Sequence, residues 1–216
     1  MESPQTHIWG PELWMILHSS AERIGQSQVK MLQYDEVRIW TGLLSSLRYS
    51  LPCPACKKHY SDYYASHPIV AYTRPVLRKW LFDLHQQVNG YTNKQCLITI
   101  EDLPTIYGKP FHFSKHMGVV SHQMRLAIFH KRCDRNDVHS TVRFLEEMRR
   151  LYDLFWGLLY TRTGIHAIGP FSVALAGRRR FAMPNKSDKR SSPTDDNIRY
   201  HPLPMYMNAR KVRRIL

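Results

Sequence analysis

Two cysteines separated by two residues are the most reactive feature of the sequence. Cys53 and Cys56 enclose a Pro-Ala pair and follow a predicted helix that Pro52 ends. A C-x-x-C at a helix start holds two sulfurs within reach of each other, and the positive end of the helix dipole favours the thiolate. Lys57 and Lys58 follow directly and add positive charge. This pattern predicts a redox-active dithiol in which the pKa of at least one thiol is lowered.

The same spacing is found in structural zinc sites, which is the alternative interpretation. A zinc ion would need two more cysteine or histidine ligands at compact spacing, and His59, His67 and Cys96 are available. No second C-x-x-C and no H-x3-5-H accompanies the pair in the usual order. A thioredoxin-like fold would place a β-strand before the pair, whereas a helix precedes it here. We therefore expect redox chemistry and no metal ion.

Two other segments place polar rings and amides on one face of a helix. Trp14 and His18 are four residues apart, as are His85 and Asn89, and Lys94 lies just past the predicted end of that second helix. Residues four apart are neighbours on a helix surface. Taken one at a time, these residues are also what an ordinary helical core contains, so their meaning depends on their combination.

Apolar residues recur at intervals of three and four over the first two-thirds of the chain, which predicts an all-α fold. Pro11 is expected in the first turn of the first helix, and Asn89-Gly90 at the end of the fourth. The segment 96–110 looks irregular. Two further helical patterns follow, one around Val120 and one from Leu145 to Leu159, which could pack on the bundle or form a dimer surface.

The chain is predicted to divide at residues 110 and 176. Residues 1–110 form the first domain, 111–176 a helical extension, and 177–216 a basic tail with eleven Lys/Arg against three Asp/Glu. The tail has too few apolar residues to offset chain entropy, so we expect disorder there. It carries more than half of the net charge of +14 and suits an acidic partner or nucleic acid.

Sequence features also limit the cellular setting. No apolar run approaches the roughly 18 residues of a membrane span, and residues 1–10 do not resemble a signal peptide. Four cysteines are too few for the disulfide framework of a small secreted protein. We expect a protein of the cytoplasm, and nuclear localisation through the basic tail is the alternative.

Together, the three motifs resemble the Erv/ALR family of flavin-linked sulfhydryl oxidases over residues 5–110. That family has W-x-x-x-H on its first helix, C-x-x-C at the start of its third, and H-N-x-V-N then Lys near the end of its fourth. Gln86 stands here where the family usually has Asn. The family's extra structural cysteine pair is not matched, although Cys96 lies near its second position. The small cysteine set and long C-terminal part resemble versions carried by large DNA viruses.

The resemblance implies a four-helix bundle with a short fifth helix that holds FAD. The residues expected to bind FAD are Gly10, Trp14, His18, His85, Asn89 and Lys94. Dithiol proteins would be oxidised at Cys53, Cys56 would face the flavin, and molecular oxygen would accept the electrons to give hydrogen peroxide. A homodimer, in host cytoplasm or virion, is also expected. The alternative is a basic nucleic-acid- or zinc-binding protein, and whether Cys96 and Cys133 pair, relay electrons or stay free is open.

Overall fold

A computed structural model of the chain describes residues 3–156, to which the following statements refer. This part contains helices and no strand, so the all-α prediction is confirmed. None of these helices is long and apolar enough to cross a membrane. The predicted tail at 177–216 and the last part of the extension, 157–176, lie outside the described residues. The helices are α1 (Thr6–Ala21), α2 (Lys30–Ser50), α3 (Pro54–Ser66), α4 (Arg74–Tyr91), α5 (Leu103–Tyr107), α6 (Phe113–Phe129) and α7 (Arg135–Leu151).

Helix α1 begins earlier than its proline suggests. Pro11 lies inside the helix and not in its first turn, where it removes the hydrogen bond that an N–H would donate to the carbonyl of His7. The start of α1 is instead tied to α6, because the Gln5 amide donates to the Gln123 side chain at 2.9 Å. The proline therefore lies inside a continuous first helix and does not mark its start.

The cysteine pair lies at the start of α3, as predicted. Pro52 is buried, and Pro54 is the first helical residue, where a missing N–H costs nothing. Cys53 is the N-cap, and its sulfur accepts a hydrogen bond from the Cys56 amide at 3.2 Å. The proline residues and this cap place both sulfurs at the same helix end.

The end of α4 differs from the prediction. The helix continues through Asn89 and Gly90 to Tyr91, and Asn93 takes the left-handed conformation with φ of 52°. The Lys94 amide then donates to the Asn89 carbonyl at 2.9 Å. An asparagine can adopt positive φ next to a helix end, so the predicted helix end was too early.

The segment 96–110 is more ordered than its prolines suggest. It contains a 3-10 turn at Ile100–Asp102 and the short helix α5, which agrees with the fifth helix implied by the family resemblance. Arg23, two residues after α1, is fully buried. It donates to carbonyls at and just beyond the end of α5, at 3.0 Å for Tyr107 and 2.7 Å for Lys109. A buried guanidinium is stable only with such partners, so Arg23 fixes this segment.

Helices α6 and α7 pack on α1 and α2, respectively, and share one hydrophobic core with the first four helices. The Phe144 ring of α7 lies over Gly42 of α2, where a Cβ atom would come within 2.2 Å of the ring. Beside it, the buried hydroxyl of Thr141 lies 2.8 Å from that of Ser46 and 2.7 Å from that of Ser50. Small residues therefore let α2 and α7 approach closely.

The Leu145 to Leu159 pattern is mostly used within the chain. Leu145 and Met148 are completely buried, and the buried indole of Trp156 donates to the Glu36 carboxylate at 2.8 Å. Of the two roles left open for this stripe, packing on the bundle is the one observed, although Phe155 is 39% exposed. Leu159 lies outside the described residues, and the domain boundary at residue 110 stays a prediction.

Candidate active site

A cavity of about 360 Å³ lies between the first four helices, next to the cysteine pair. Its wall is mainly apolar and includes Gly10, Trp14 and Cys56. Each of α1, α2, α3 and α4 contributes to the lining. The volume is in the range of small-molecule pockets, and the cavity brings the thiol of α3 together with two of the residues predicted on α1.

The two cysteines differ in their surroundings. Cys56 lines the cavity, whereas Cys53 does not and sits at the helix cap. Burial raises the pKa of Cys56 to about 12, with further contributions from the hydrogen bond and charge of Cys53 and an opposing hydrogen bond from Thr6. The predicted lowering of a thiol pKa is therefore wrong for Cys56, because its desolvation outweighs its place in the first turn of α3.

The two lysines after the pair do not act on it as the sequence suggested. The Lys57 ammonium donates to the Arg132 carbonyl and lies 3.7 Å from the sulfur of Cys133. Lys58 is exposed and forms an ion pair with Asp62 one turn later, at 2.8 Å. Their positions on the helix turn both side chains away from the cavity. The Lys57 ammonium instead stabilises the contact between α3 and the α6–α7 turn.

His18 and His85 form a pair behind the cavity. The Nε2 atom of His18 lies 3.1 Å from Nδ1 of His85, and the Trp14 ring stacks on His85 with centroids 4.0 Å apart. The Tyr107 ring stacks on His18, with ring centroids 4.6 Å apart. The histidines of α1 and α4 are therefore in direct contact, and their predicted role in binding FAD stays a prediction.

Burial keeps both imidazoles neutral. It lowers the pKa of His18 to about 3, with a further contribution from His85. The pKa of His85 falls to about 4, mainly through burial and then through the positive charge of Lys94. At neutral pH one ring must therefore donate and the other accept across the 3.1 Å contact.

The last two predicted residues lie near this pair and outside the cavity wall. Asn89 is half-buried one turn after His85, and Lys94 is exposed beyond the end of α4. The structure therefore divides the eight predicted residues into three groups. Gly10, Trp14 and Cys56 form the cavity wall, Cys53 caps the helix, and His18, His85, Asn89 and Lys94 follow one side of α1 and α4.

Cys96 and Cys133 lie in different surroundings and are free thiols. The thiol of Cys133 is buried and donates to the Leu51 carbonyl at 3.3 Å, and burial raises its pKa. Cys96 instead lies near Tyr107: burial raises the pKa of that phenol, and the charge of Cys96 adds to the rise. Residues 3–156 contain no group of three or more His, Cys, Asp or Glu side chains placed to hold a metal ion.

Sequence reasoning did not identify several side chains of the cavity as site residues. His59 lines it one turn after Cys56 and stacks on Tyr91 with centroids 4.2 Å apart. Trp9 and Tyr60 are buried in the same wall. His59 lies three residues after Cys56, which puts both on one helix face, so this spacing was a usable signal. Trp9, five residues before Trp14, is not a neighbour at such spacing. Tyr91 had no usable signal, because it follows the predicted helix end.

An all-helical protein with a dithiol at the edge of an apolar cavity is the class that these observations define. The Erv1/Alr family model matches residues 11–102. A probable FAD-linked sulfhydryl oxidase of Acanthamoeba polyphaga mimivirus is 34% identical over 101 residues, which cover 45% of this chain and 68% of that protein. No solved structure matches the chain significantly. The chain belongs to the Erv1/Alr family.

Proposed function

We propose that this chain is an FAD-dependent thiol oxidase that forms disulfides in proteins through Cys53 and Cys56. The observation that carries the proposal is that Cys56 lines the same apolar cavity as Gly10 and Trp14. The mimivirus relative is named for this activity, and family membership supports it. The zinc-binding alternative has less support, since no side-chain group observed in residues 3–156 favours a metal ion.

The cavity fits the planar ring system of a flavin. Its wall is apolar and aromatic, as such a ring requires, and the Trp9 indole nitrogen is buried there without a hydrogen-bond partner among the described residues. An added Cβ at Gly10 would meet nothing nearer than Thr6, at 4.0 Å, so the missing side chain leaves open space. Both features suit a polar-edged aromatic ligand.

The six predicted residues would contact different parts of the cofactor. Gly10 and Trp14 would contact the ring system, and neutral His18 and His85 would offer hydrogen bonds without adding charge. Lys94 would attract the diphosphate, with Asn89 beside it. His59 joins this set because it lines the cavity beside Cys56. When bound, FAD supplies a two-electron acceptor for the reduced cysteine pair, with molecular oxygen as the final acceptor and hydrogen peroxide as product.

The substrate reaction is a thiol–disulfide exchange at the outer sulfur. A substrate thiolate attacks Cys53 of the oxidised pair, forming a mixed disulfide and releasing Cys56 as a thiolate. The second substrate thiolate then attacks the substrate sulfur, which releases Cys53 and leaves the substrate disulfide. Burial raises the pKa of Cys56, so the released Cys56 thiolate takes up a proton.

Two single variants test the different roles of the sulfurs. Wild-type protein should carry flavin near one per chain and consume oxygen when given a small dithiol. Cys53→Ser and Cys56→Ser should both abolish turnover. Only in Cys56→Ser should the Cys53 thiolate attack the disulfide of an oxidised protein substrate, releasing one substrate thiolate and retaining a covalent adduct that is detected by mass under non-reducing conditions. Colourless protein with bound zinc would end the proposal, and an adduct in Cys53→Ser alone would reverse the two roles.

A further inference from the structure

A second concave surface, of about 650 Å³, lies along the outer face of α6 and α7. Its floor is apolar and consists of Ile128, Val138 and Val142. Arginine side chains from both helices line it, including Arg125 and Arg135. We call this surface the α6–α7 groove. No step of the proposed oxidation uses it.

The arginines of the groove exceed the carboxylates available to them. The two acidic residues of the groove are already paired, Glu146 with Arg149 at 2.5 Å and Glu147 with Arg38 at 2.7 Å. Arg125 and Arg135 are exposed and take part in none of the ion pairs among residues 3–156. The surface therefore offers positive charge above an apolar strip.

One end of the groove adjoins the cysteine pair. The turn between α6 and α7 lies against α3, because Lys57 donates to the Arg132 carbonyl. In the same turn Cys133 donates to the Leu51 carbonyl, two residues before Cys53. Helix α7 begins two residues after Cys133, at Arg135. From there the groove follows α7 to Arg150, about 22 Å away at 1.5 Å per residue.

We propose that the α6–α7 groove docks an acidic, amphipathic segment of the thiol-bearing substrate protein and presents its thiols to Cys53. An apolar strip with basic flanks complements a helix or strand that has apolar residues on one side and carboxylates beside them. The inference rests on the proposed function, because it takes Cys53 as the entry sulfur.

A nucleic acid fits the groove less well. Single strands bind through stacking on aromatic rings together with phosphate contacts, and the groove contains no Phe, Tyr or Trp among the described residues that line it. Its floor of Ile128, Val138 and Val142 would bury no base, and Glu146 and Glu147 would repel phosphates. An acidic peptide can use the apolar floor and the arginines at once, so the observations favour a protein segment.

The test uses a synthetic dithiol peptide joined to an acidic amphipathic segment of about 15 residues, matched to the groove length. Arg125→Glu with Arg135→Glu reverses the groove charge. The second change places an acidic residue in the first turn of α7, where the helix dipole favours it, so folding should be retained. Lys30→Glu with Lys115→Glu is the matched control, because both lysines are exposed in first helical turns outside the groove and the net charge changes equally.

We expect the groove variant to raise KM for the acidic peptide about tenfold with kcat unchanged, since reversing two attractive charges together has an effect of about this size. The control variant should behave like the wild type, and both should oxidise a small dithiol normally. A peptide carrying lysines in place of its carboxylates should show the opposite response, with a lower KM in the groove variant than in the wild type, because the new carboxylates attract it. An equal rise in KM for both variants would overturn the inference, because it would reflect net charge alone.

Binding measured apart from activity separates this inference from the proposed function. A labelled acidic peptide without cysteines should bind the wild type in fluorescence anisotropy, lose affinity with added salt and lose it in the groove variant. If the protein does not oxidise a small dithiol but still binds the peptide, the oxidase proposal is refuted and the groove site is supported. A single-stranded oligonucleotide that displaces the peptide and binds more tightly would show that the groove serves nucleic acid.

Discussion

The buried histidine pair predicts a loss of stability in mild acid. In the unfolded chain an imidazole has a pKa near 6.5, whereas burial lowers the pKa of His18 to about 3 in the folded protein. Above about pH 7.5 both states are neutral, so the stability does not change with pH through this pair. As the pH falls from there toward 3, only the unfolded state binds the proton, so the free energy of unfolding decreases.

The magnitude follows from the difference in proton binding. Between about pH 7.5 and 5.0 the unfolded imidazole becomes almost fully protonated while His18 stays neutral. At about 1.36 kcal/mol for each pH unit below the unfolded pKa, His18 alone should lower the free energy of unfolding by about 2 kcal/mol. His85, whose pKa also falls, to about 4, acts in the same direction.

Urea unfolding followed by tryptophan fluorescence at the two pH values measures this effect. His18→Gln keeps a hydrogen-bonding amide next to His85 and removes the titrating ring. Between the two pH values, the free energy of unfolding of this variant should therefore fall by about 2 kcal/mol less than that of the wild type. His122→Gln, at an exposed position on α6, is the matched control and should follow the wild type. An identical pH dependence in His18→Gln and the wild type would refute the assignment of a buried neutral imidazole.

Two further predictions concern the extension and the remaining cysteines. Trp156→Ala should lower the free energy of unfolding by about 3 to 5 kcal/mol, since it empties a fully buried site and leaves Glu36 without its indole donor; a loss below about 1 kcal/mol in urea unfolding would contradict this packing. Cys96→Ser with Cys133→Ser should oxidise small dithiols and reduced proteins as fast as the wild type, because the two thiols contact different segments and neither lines the cavity. Slower oxidation of the protein substrate alone, measured by oxygen uptake, would show that one of them relays electrons.

Helical periodicity and short motifs carried most of the correct predictions. The stripes of α1, α2 and α4 are set by local spacing, and the cysteine pair could be placed because Pro52 and Pro54 restrict the backbone around it. Four-residue spacing also put Trp14 and His18 on one face. These features depend on a few neighbouring residues, which is why the sequence alone was sufficient for them.

The errors arose where tertiary contacts decide the outcome. The pKa of Cys56 depends on burial by four helices, which outweighs the local helix dipole. The direction of Lys57 depends on the Arg132 carbonyl, 75 residues later. Likewise, the order of 96–110 depends on buried Arg23, whose guanidinium no local pattern connects with Tyr107. Such contacts cannot be derived from spacing, since both partners must first be placed by the fold.

The extension supports the cavity from both sides. Helix α6 braces α1, which carries Gly10 and Trp14, through the hydrogen bond between His116 and Glu12. Helix α7 packs on α2, which contributes Leu47 to the cavity wall. The part that matches the family model ends at residue 102, before α6 and α7 begin. Without α6 and α7, buried faces of both α1 and α2 would be exposed to water. We therefore expect the walls of the candidate active site to depend on residues beyond the family motifs, and the α6–α7 turn then connects that support directly to the helix that carries Cys53 and Cys56.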